Sequence, residues 1–307
     1  MKIPSPFSEN ASGSVVKEID PKEIIKAYQD TYQIDVSNLL NGIPSVFLCK
    51  CSLSKMLYYF PFNLDGDANF YKSLSEKDWY YHNERWEHQA ALKFIQNNDN
   101  LLEIGSGAGS FIKQLTQKYK VNYCGLELNS AAIEKAAKDS IVLTNELLAA
   151  HSINNFEKYD IVCSFQVYEH ISGIHQIFID SFKVLKKGGL LIVSVPNNDV
   201  EFISNNKSNS KYLNMPPHHA NLFTEESLIN IAKIYNVKLK AIVKEPIQDM
   251  HIDVYLHNKM SNIFMGSSFL LRAFWKLKLH VPLRGLVKLY RNKIIGHTII
   301  GVFEKNN

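Results

Sequence analysis

Apolar positions along the middle of the chain follow two alternating periods. NLLEI (100–104), VNYCGLEL (121–128), IVLT (141–144), YDIVCSF (159–165) and LLIVSVP (190–196) are short apolar runs of strand length. The last is nearly continuous, as expected of a strand covered on both faces. Between them, SFIKQLTQKY places Phe111, Ile112, Leu115 and Tyr119 on one helical face, and SAAIEKAAK forms a second helix with Asn129 or Ser130 placed to cap it. ISGIHQIFIDSFKVL is a third helix, with KKGG as its stop. TEESLINIAKIY opens on a Thr224–Ser227 capping pair with Glu225 and Glu226 in the first turn, and KLKAIVKE and HTIIGVFEK supply two later strands. Alternating strand and helix predicts an α/β fold, a doubly wound sheet that binds its ligand at the C-terminal strand ends.

The pattern divides the 307 residues into four parts. Residues 1–85 are an aromatic-rich accessory or lid region, 86–249 the alternating core, 250–293 a helical insertion and 294–307 the last core strand. Hydrophobic content of 46% and charged content of 21% suit a globular protein with a sizeable core. The N-terminus has no apolar signal-like run, no stretch approaches the length of a spanning helix, and four cysteines without a Cys-x-x-Cys pair fit a reducing compartment; these features lead us to expect a cytoplasmic protein.

One loop carries the first chemical signal. In LLEIGSGAGSF, Gly105, Gly107 and Gly109 join a strand to a helix, where glycines let backbone approach a ligand and the helix N-terminus offers unpaired N–H groups. Ser110 stands where a dinucleotide fingerprint would want its third glycine, and Glu103 ends the first strand. Glu127 ends the second strand 22 residues after Gly105, where a carboxylate can accept both ribose hydroxyls of an adenosine cofactor.

The set LLEIGSGAGSF, CGLELN, YDIVCSFQVYEHI, LKKGGLLIVSVPN, followed by PPHHANLFTEESL, resembles the class I S-adenosylmethionine-dependent methyltransferases, in particular those acting on small molecules and sugars, ubiquinone-pathway-like enzymes included. The resemblance covers residues 86–249 and returns in HTIIGVFEK. It implies a seven-stranded Rossmann-like sheet whose last strand is antiparallel, and S-adenosyl-L-methionine as cofactor. It also implies roles. Gly105, Ser106 and Gly107 would lie against the methionine moiety, Gly109 would also belong to the cofactor loop, and Glu103 would hold the ammonium end, directly or through water. Glu127 would grip the ribose, Leu128 would pack on adenine, Asn145 or Glu146 would sit at the adenine edge, and Phe165 and Gln166 would close the pocket.

For methyl transfer the enzyme must align a nucleophile and exclude water, and a base is needed when the acceptor carries a hydroxyl or protonated amine. His170, just past the fourth strand, and His219, after the fifth, are the candidate bases, with His218 a weaker neighbour. In some relatives a Glu-His pair like Glu169-His170 joins a carboxylate three positions earlier to bind a cation; here that position is Gln166, so no metal is expected. Cys49 and Cys51 lack the second pair that a zinc site needs, and Cys124 and Cys163 read as core residues. Tyr81, Trp86, Asn197 and His218 are the candidate acceptor contacts, the first two from the aromatic stretch WYYHNERW.

Charge is uneven. Val254–Phe303 holds eight Lys/Arg and no acid, leaving 26 basic against 30 acidic residues elsewhere. Within it, Arg272 and Lys276, and Arg284, Lys288 and Arg291, recur at helical spacing among apolar residues, with Pro282 as the expected divider of two helices. Residues 261–293 are therefore expected to touch an anionic membrane surface or a negatively charged acceptor. The sequence reads as an enzyme that methylates an oxygen or nitrogen of a small molecule or saccharide precursor, lipid-linked or phosphorylated forms included. The alternatives are a nucleic-acid methyltransferase, against which no Pro-Pro-Tyr motif follows the fourth strand and no cysteine follows a proline, and a non-catalytic module that binds the cofactor or a membrane.

Overall fold

The computed structural model describes residues 3–77, 85–200 and 213–306. An antiparallel sheet fills much of the N-terminal part: Ile3–Ser5 (β1), Ser8–Ile19 (β2), Val46–Cys51 (β3) and Leu57–Phe60 (β4) pair in chain order. Its fifth strand, Asn221–Leu222 (β9), comes from far along the chain and pairs through Leu57↔Leu222 and Tyr58↔Asn221. Helices Pro21–Tyr32 (α1) and Ala68–Ser75 (α2) cover it, starting at Asp20 and Asp67, whose carboxylates accept N–H groups of the first turns. Ile24, Tyr28, Val36, Val46, Leu64 and Leu74 form its buried core. The accessory region is thus a β-sheet stapled to the core, where the sequence showed only short pieces.

The main sheet contains Asn100–Ile104 (β5), Asn122–Leu126 (β6), Tyr159–Phe165 (β7), Leu185–Pro196 (β8), Lys238–Pro246 (β10) and Ile295–Glu304 (β11), in the order β10-β11-β8-β7-β5-β6. Pairings β5–β6, β5–β7 and β7–β8 are parallel, and β11 runs antiparallel to both β8 and β10. The expected reversed last strand is therefore present, but the sheet has six strands rather than seven among the described residues. IVLT contributes a single parallel bridge, Leu126↔Thr144. Ile141 and Leu143 are buried against Ile112 and Ala136 while Val142 is 77% exposed, so the segment is anchored by its side chains more than by a ladder.

Helices Trp86–Ala91 (α3), Ser110–Lys118 (α4), Ser130–Lys138 (α5), Leu148–Asn154 (α6), Ile174–Val184 (α7) and Glu225–Ile234 (α8) accompany these strands. Asn129 rather than Ser130 caps α5, accepting from Ala131 N at 3.0 Å. At α8, Thr224 and Ser227 cap each other's backbone N–H groups at 3.1 and 2.8 Å. KKGG does not stop α7 as a loop; it begins β8, where the register with β7 shifts, Lys186 pairs with Asp160 at 2.8 Å and Gly188 N donates to Lys305 O at 2.9 Å. Two apolar layers sandwich the sheet, one holding Leu102, Val162, Phe178, Val193 and Phe303, the other Leu101, Phe111, Ile161, Ile192 and Ile300.

The insertion forms three helices, Ile252–Ile263 (α9), Ser268–Lys276 (α10) and His280–Leu289 (α11). The break precedes Pro282, which sits inside the first turn of α11, where its missing N–H costs nothing. No helix of the described residues is long and apolar enough to cross a membrane.

Candidate active site

The chemical signals of the sequence cluster at the C-terminal ends of the parallel strands, placed there by local backbone rules. After β5 the chain turns through Gly105 and Gly107, at φ +71° and +53°. A side chain at Gly105 would meet Val167 Cγ2 at 2.5 Å, whereas the space beside Gly107 is open, a cradle that only glycine leaves clear. Glu127, at the end of β6, accepts from Gly107 N at 2.7 Å, Leu128 N at 2.9 Å and Asn129 N at 2.8 Å, which fixes its carboxylate beside the loop. Leu128 is half exposed next to it, and Asn145 Nδ2 donates to Leu128 O at 3.1 Å.

Glu103 lies beneath the loop, 3% exposed, with Oε2 lacking any partner. Burial, aided by nearby Glu127, pushes its pKa up to about 8, against the smaller lowering by Ser106 and Arg85. An orphaned, buried carboxylate oxygen fits a cationic ligand group, and Glu127 fits a diol; the pocket suits an amino-acid-bearing adenosine cofactor on this chain's own chemistry. Ser106 is buried and donates to Glu103 O at 3.3 Å. Gln166, at φ +56°, donates from Nε2 to Ser194 Oγ at 3.1 Å and so holds the turn after β7.

Four of the expected site residues also have other neighbours. Phe165 is buried against Phe111 and His88, with ring centroids 4.7 and 4.9 Å apart. Glu146 is drawn to His151 Nδ1 at 2.8 Å, which leaves Asn145 as the residue beside Leu128. Trp86 packs against the layer containing Phe111 and Leu115 as part of the core. Gly109, although it shares the left-handed conformation, abuts Ile141 and serves the start of α4. Tyr81 lies outside the described residues.

The histidines form a second cluster. His170 follows β7, and His218 and His219 come from the loop before β9, yet one nitrogen of each ring lies within 4.8 Å of those of the other two. His170 Nδ1 donates to His218 O at 2.6 Å, His218 Nδ1 to Leu213 O at 3.0 Å, and His219 Nδ1 to Asn214 Oδ1 at 3.0 Å. Asn214 is itself held by Asn198 Oδ1 at 2.7 Å. The accessory region grips this loop: Tyr28 and Tyr59 hydroxyls donate to Met215 O and Asn214 O, both at 3.0 Å, and Tyr71 meets the His170 ring edge-on at 5.9 Å. Burial lowers all three imidazoles, His170 to about 4 and the other two well below the usual value, so they are neutral near pH 7.

Beside the expected Asn197, several residues here were not singled out as site residues by the sequence. Glu169 is 1% exposed, neither of its oxygens has a partner, and burial raises its pKa to about 8. Asn197, fully buried at the end of β8, keeps Nδ2 unpaired. Glu245, at the end of β10, is raised to about 7 chiefly by burial, while burial lowers His297 on β11 to about 3. Glu87 lies within electrostatic reach of both Glu169 and Glu245, and Arg85, 3.8 Å from Glu87, acts on Glu103, Glu169 and His170 alike. The Glu87-His88 pair beside Trp86 was the available signal for this wall.

The profile of a family described as a methyltransferase domain matches residues 79–241. Among curated proteins, the chain is 24% identical over 154 residues to a ubiquinone biosynthesis O-methyltransferase of Pelagibacter ubique, covering 47% of this chain and 64% of that one. It is 29% identical over 115 residues to the mitochondrial counterpart of Candida albicans, covering 34% and 35%. The chain therefore spans less than two thirds of the length of these relatives. In fold it is similar to phosphoethanolamine N-methyltransferase 2 of Haemonchus contortus, solved with S-adenosyl-L-methionine (TM-score 0.51, 17% identity, covering 77% of this chain and 56% of that one). It is also similar to a SAM-dependent methyltransferase from Archaeoglobus fulgidus (TM-score 0.50, 12% identity, covering 76% and 100%).

Proposed function

The chain belongs to the class I S-adenosylmethionine-dependent methyltransferases, and from that premise we propose that it transfers a methyl group to an oxygen or nitrogen of a small polar molecule or saccharide precursor. The observation that carries the reading is the pairing of two carboxylates about one glycine loop: Glu127 tied down by three backbone N–H groups, and Glu103 buried with an unpartnered oxygen. Glu127 would hold the ribose of S-adenosyl-L-methionine and Glu103 its ammonium. When bound, that cofactor would supply an electrophilic methyl group carried on a cationic sulfur.

The chain's own groups do the rest. His170 and His219, neutral and oriented through Nδ1, present the ring nitrogen that receives the acceptor's proton. Asn197 Nδ2, Glu169 and Glu245 line the acceptor side with buried polar atoms, which favours a hydroxyl- or amine-bearing acceptor over an apolar one. The accessory sheet shuts this side from water by holding the 213–222 loop.

The insertion supports contact with an anionic lipid surface or a negatively charged, lipid-linked acceptor. Arg284 pairs with Asp253, and Lys288 and Arg291 pair with Asp249, so these three cations clamp the insertion together and onto the domain. Arg272, Lys276 and Lys278 have no such acid among the described residues, and Met265, Phe269, Leu277 and Leu289 are largely exposed around them. Incubation with methyl-labelled S-adenosylmethionine and a panel of hydroxylated, amino and phosphorylated acceptors tests the reading. Label transfer that His170→Ala and His219→Ala reduce supports it, and transfer indifferent to both removes the histidines from the reaction. Co-flotation with phosphatidylglycerol vesicles, weakened by Lys276→Glu with Lys278→Glu, tests the surface contact.

A further inference from the structure

We propose that His151, braced by Tyr159, is a positioning residue for the base of the methyl donor: acting through Glu146, it holds the turn at residues 145–147 so that the site takes adenine in preference to hypoxanthine. His151 lies on α6 and is 7% exposed. Its Nδ1 meets Glu146 Oε2 at 2.8 Å, and its Nε2 meets the Tyr159 hydroxyl at 2.7 Å. A carboxylate only accepts, so Nδ1 carries the proton and Nε2 accepts from the hydroxyl. Tyr159, 2% exposed at the start of β7, keeps its proton because burial raises its pKa, and the Cys124 thiol lies within reach of the same hydroxyl. The two rings stack with centroids 5.9 Å apart. Both nitrogens of His151 are therefore engaged, so the ring neither shuttles a proton nor ligates; its effect is to fix where Glu146 stands.

The turn depends on that bond. The segment before it meets β6 in a single bridge, Leu126↔Thr144, where Thr144 N donates to Gly125 O at 2.8 Å and Glu127 N to Thr144 O at 3.1 Å. Past Thr144 the chain is tied back by Glu146 N to Thr144 O at 3.1 Å, by Asn145 Nδ2 to Leu128 O at 3.1 Å and by the Glu146–His151 contact. Of these three, the last alone runs on to a central strand, through Tyr159 on β7. A buried, fully satisfied polar chain of this kind sets direction as well as distance.

The turn also borders the place of the base. In a nucleoside the base is joined to the carbon next to the diol, so a ribose held by Glu127 brings it beside Leu128, whose side chain is 56% exposed. Asn145 spends Nδ2 on the Leu128 carbonyl and keeps Oδ1 as an acceptor. Glu146 spends Oε2 on His151 and keeps Oε1, on a side chain 35% exposed. Oxygens on this edge accept the amino N–H of adenine, whereas hypoxanthine would set its own carbonyl oxygen against them. The discrimination rests on the functional reading above, in which Glu127 holds the donor's ribose.

The test titrates the full chain in a calorimeter with S-adenosylhomocysteine and with S-inosylhomocysteine, its hypoxanthine counterpart. The wild type should favour the adenosyl compound by about 10-fold or more, the worth of one hydrogen bond to a charged group. His151→Leu should bring that ratio to within about threefold, by weakening the adenosyl compound alone. Glu146→Ala, on the exposed turn, should do the same without disturbing the core. His151→Asn, whose amide N–H stands near the place of Nδ1, should restore most of the preference, and Tyr159→Phe should lose part of it. Thermal melts report the fold of each variant, and a ratio of two ligands on one folded protein is not moved by a general loss of stability. Equal affinities in the wild type, or an unchanged ratio in Glu146→Ala or in folded His151→Leu, overturns the positioning role and leaves the functional reading standing. Binding of neither compound by the wild type defeats the functional reading, and the positioning role falls with it.

Discussion

Glu103 gives the account its most quantitative consequence. Burial raises its carboxyl to about 8, so at pH 7 about nine-tenths of the empty protein carries a proton there. An ammonium group pairs only with the ionised form, so binding of the methyl donor must expel that proton. Loss of about 0.9 proton per site follows at pH 7, and affinity should rise nearly tenfold per pH unit, about 1.4 kcal/mol, from pH 5.5 towards 7.5. Above the α-amino range of about 8 the donor itself loses its charge and the rise reverses. Calorimetry in phosphate and in Tris, whose ionisation heats differ, reads the proton count directly as the buffer-dependent part of the heat. Glu103→Gln should bind more weakly and show no linkage over the same range. Proton release near zero in the wild type, or undiminished release in Glu103→Gln, would refute the assignment of Glu103 to the ammonium.

Three further outcomes are expected. His170→Ala and His219→Ala should leave donor affinity within about twofold and lower turnover by about 100- to 10,000-fold, the span of general-base removal, as read by single-turnover label transfer. His88 has a pKa near 3 in the folded chain, lowered chiefly by burial and further by Arg85, against about 6.5 unfolded. A depressed folded pKa contributes stability that is present above pH 6.5 and lost as pH falls through the folded value; acidification from pH 7 to 5.5 should cost about 1.3 kcal/mol through this residue, and His88→Gln should lose that much less in urea titrations at the two pH values. Thr224→Ala removes one arm of the capping box on α8 and should cost about 1 kcal/mol in the same assay without changing donor affinity.

The parts of the fold that the sequence disclosed are those set by local rules. The apolar runs of β5, β7 and β8, the Thr224–Ser227 box and the glycine loop each depend on residues within a few positions of one another. IVLT looked like the others, but its ladder needed a partner beyond β6 and formed only at Thr144. KKGG carried the composition of a helix stop, and its place in β8 came from Gly188 and Gly189 exchanging backbone hydrogen bonds with Lys305, information held outside the segment. The accessory sheet was illegible for the same reason, since Tyr58↔Asn221 joins residues far apart in sequence. The site divided likewise. The place of Glu127 beside the glycine loop was readable from spacing, whereas the neighbourhood of Arg85, Glu87, Glu245 and His297 depends on burial that no local pattern announces, and the meeting of His170 with His218 and His219 depends on tertiary contacts.

Titration of the purified chain with S-adenosylmethionine and, separately, with NAD tests the central claim most directly, with Glu127→Ala alongside. The account predicts one site for the methyl donor, none for NAD, and loss of donor binding by more than about 100-fold in the variant, since a carboxylate's hydrogen bonds to two hydroxyls contribute about 1.5–3 kcal/mol each. Binding of NAD instead, or donor binding that survives unchanged in Glu127→Ala, would contradict it.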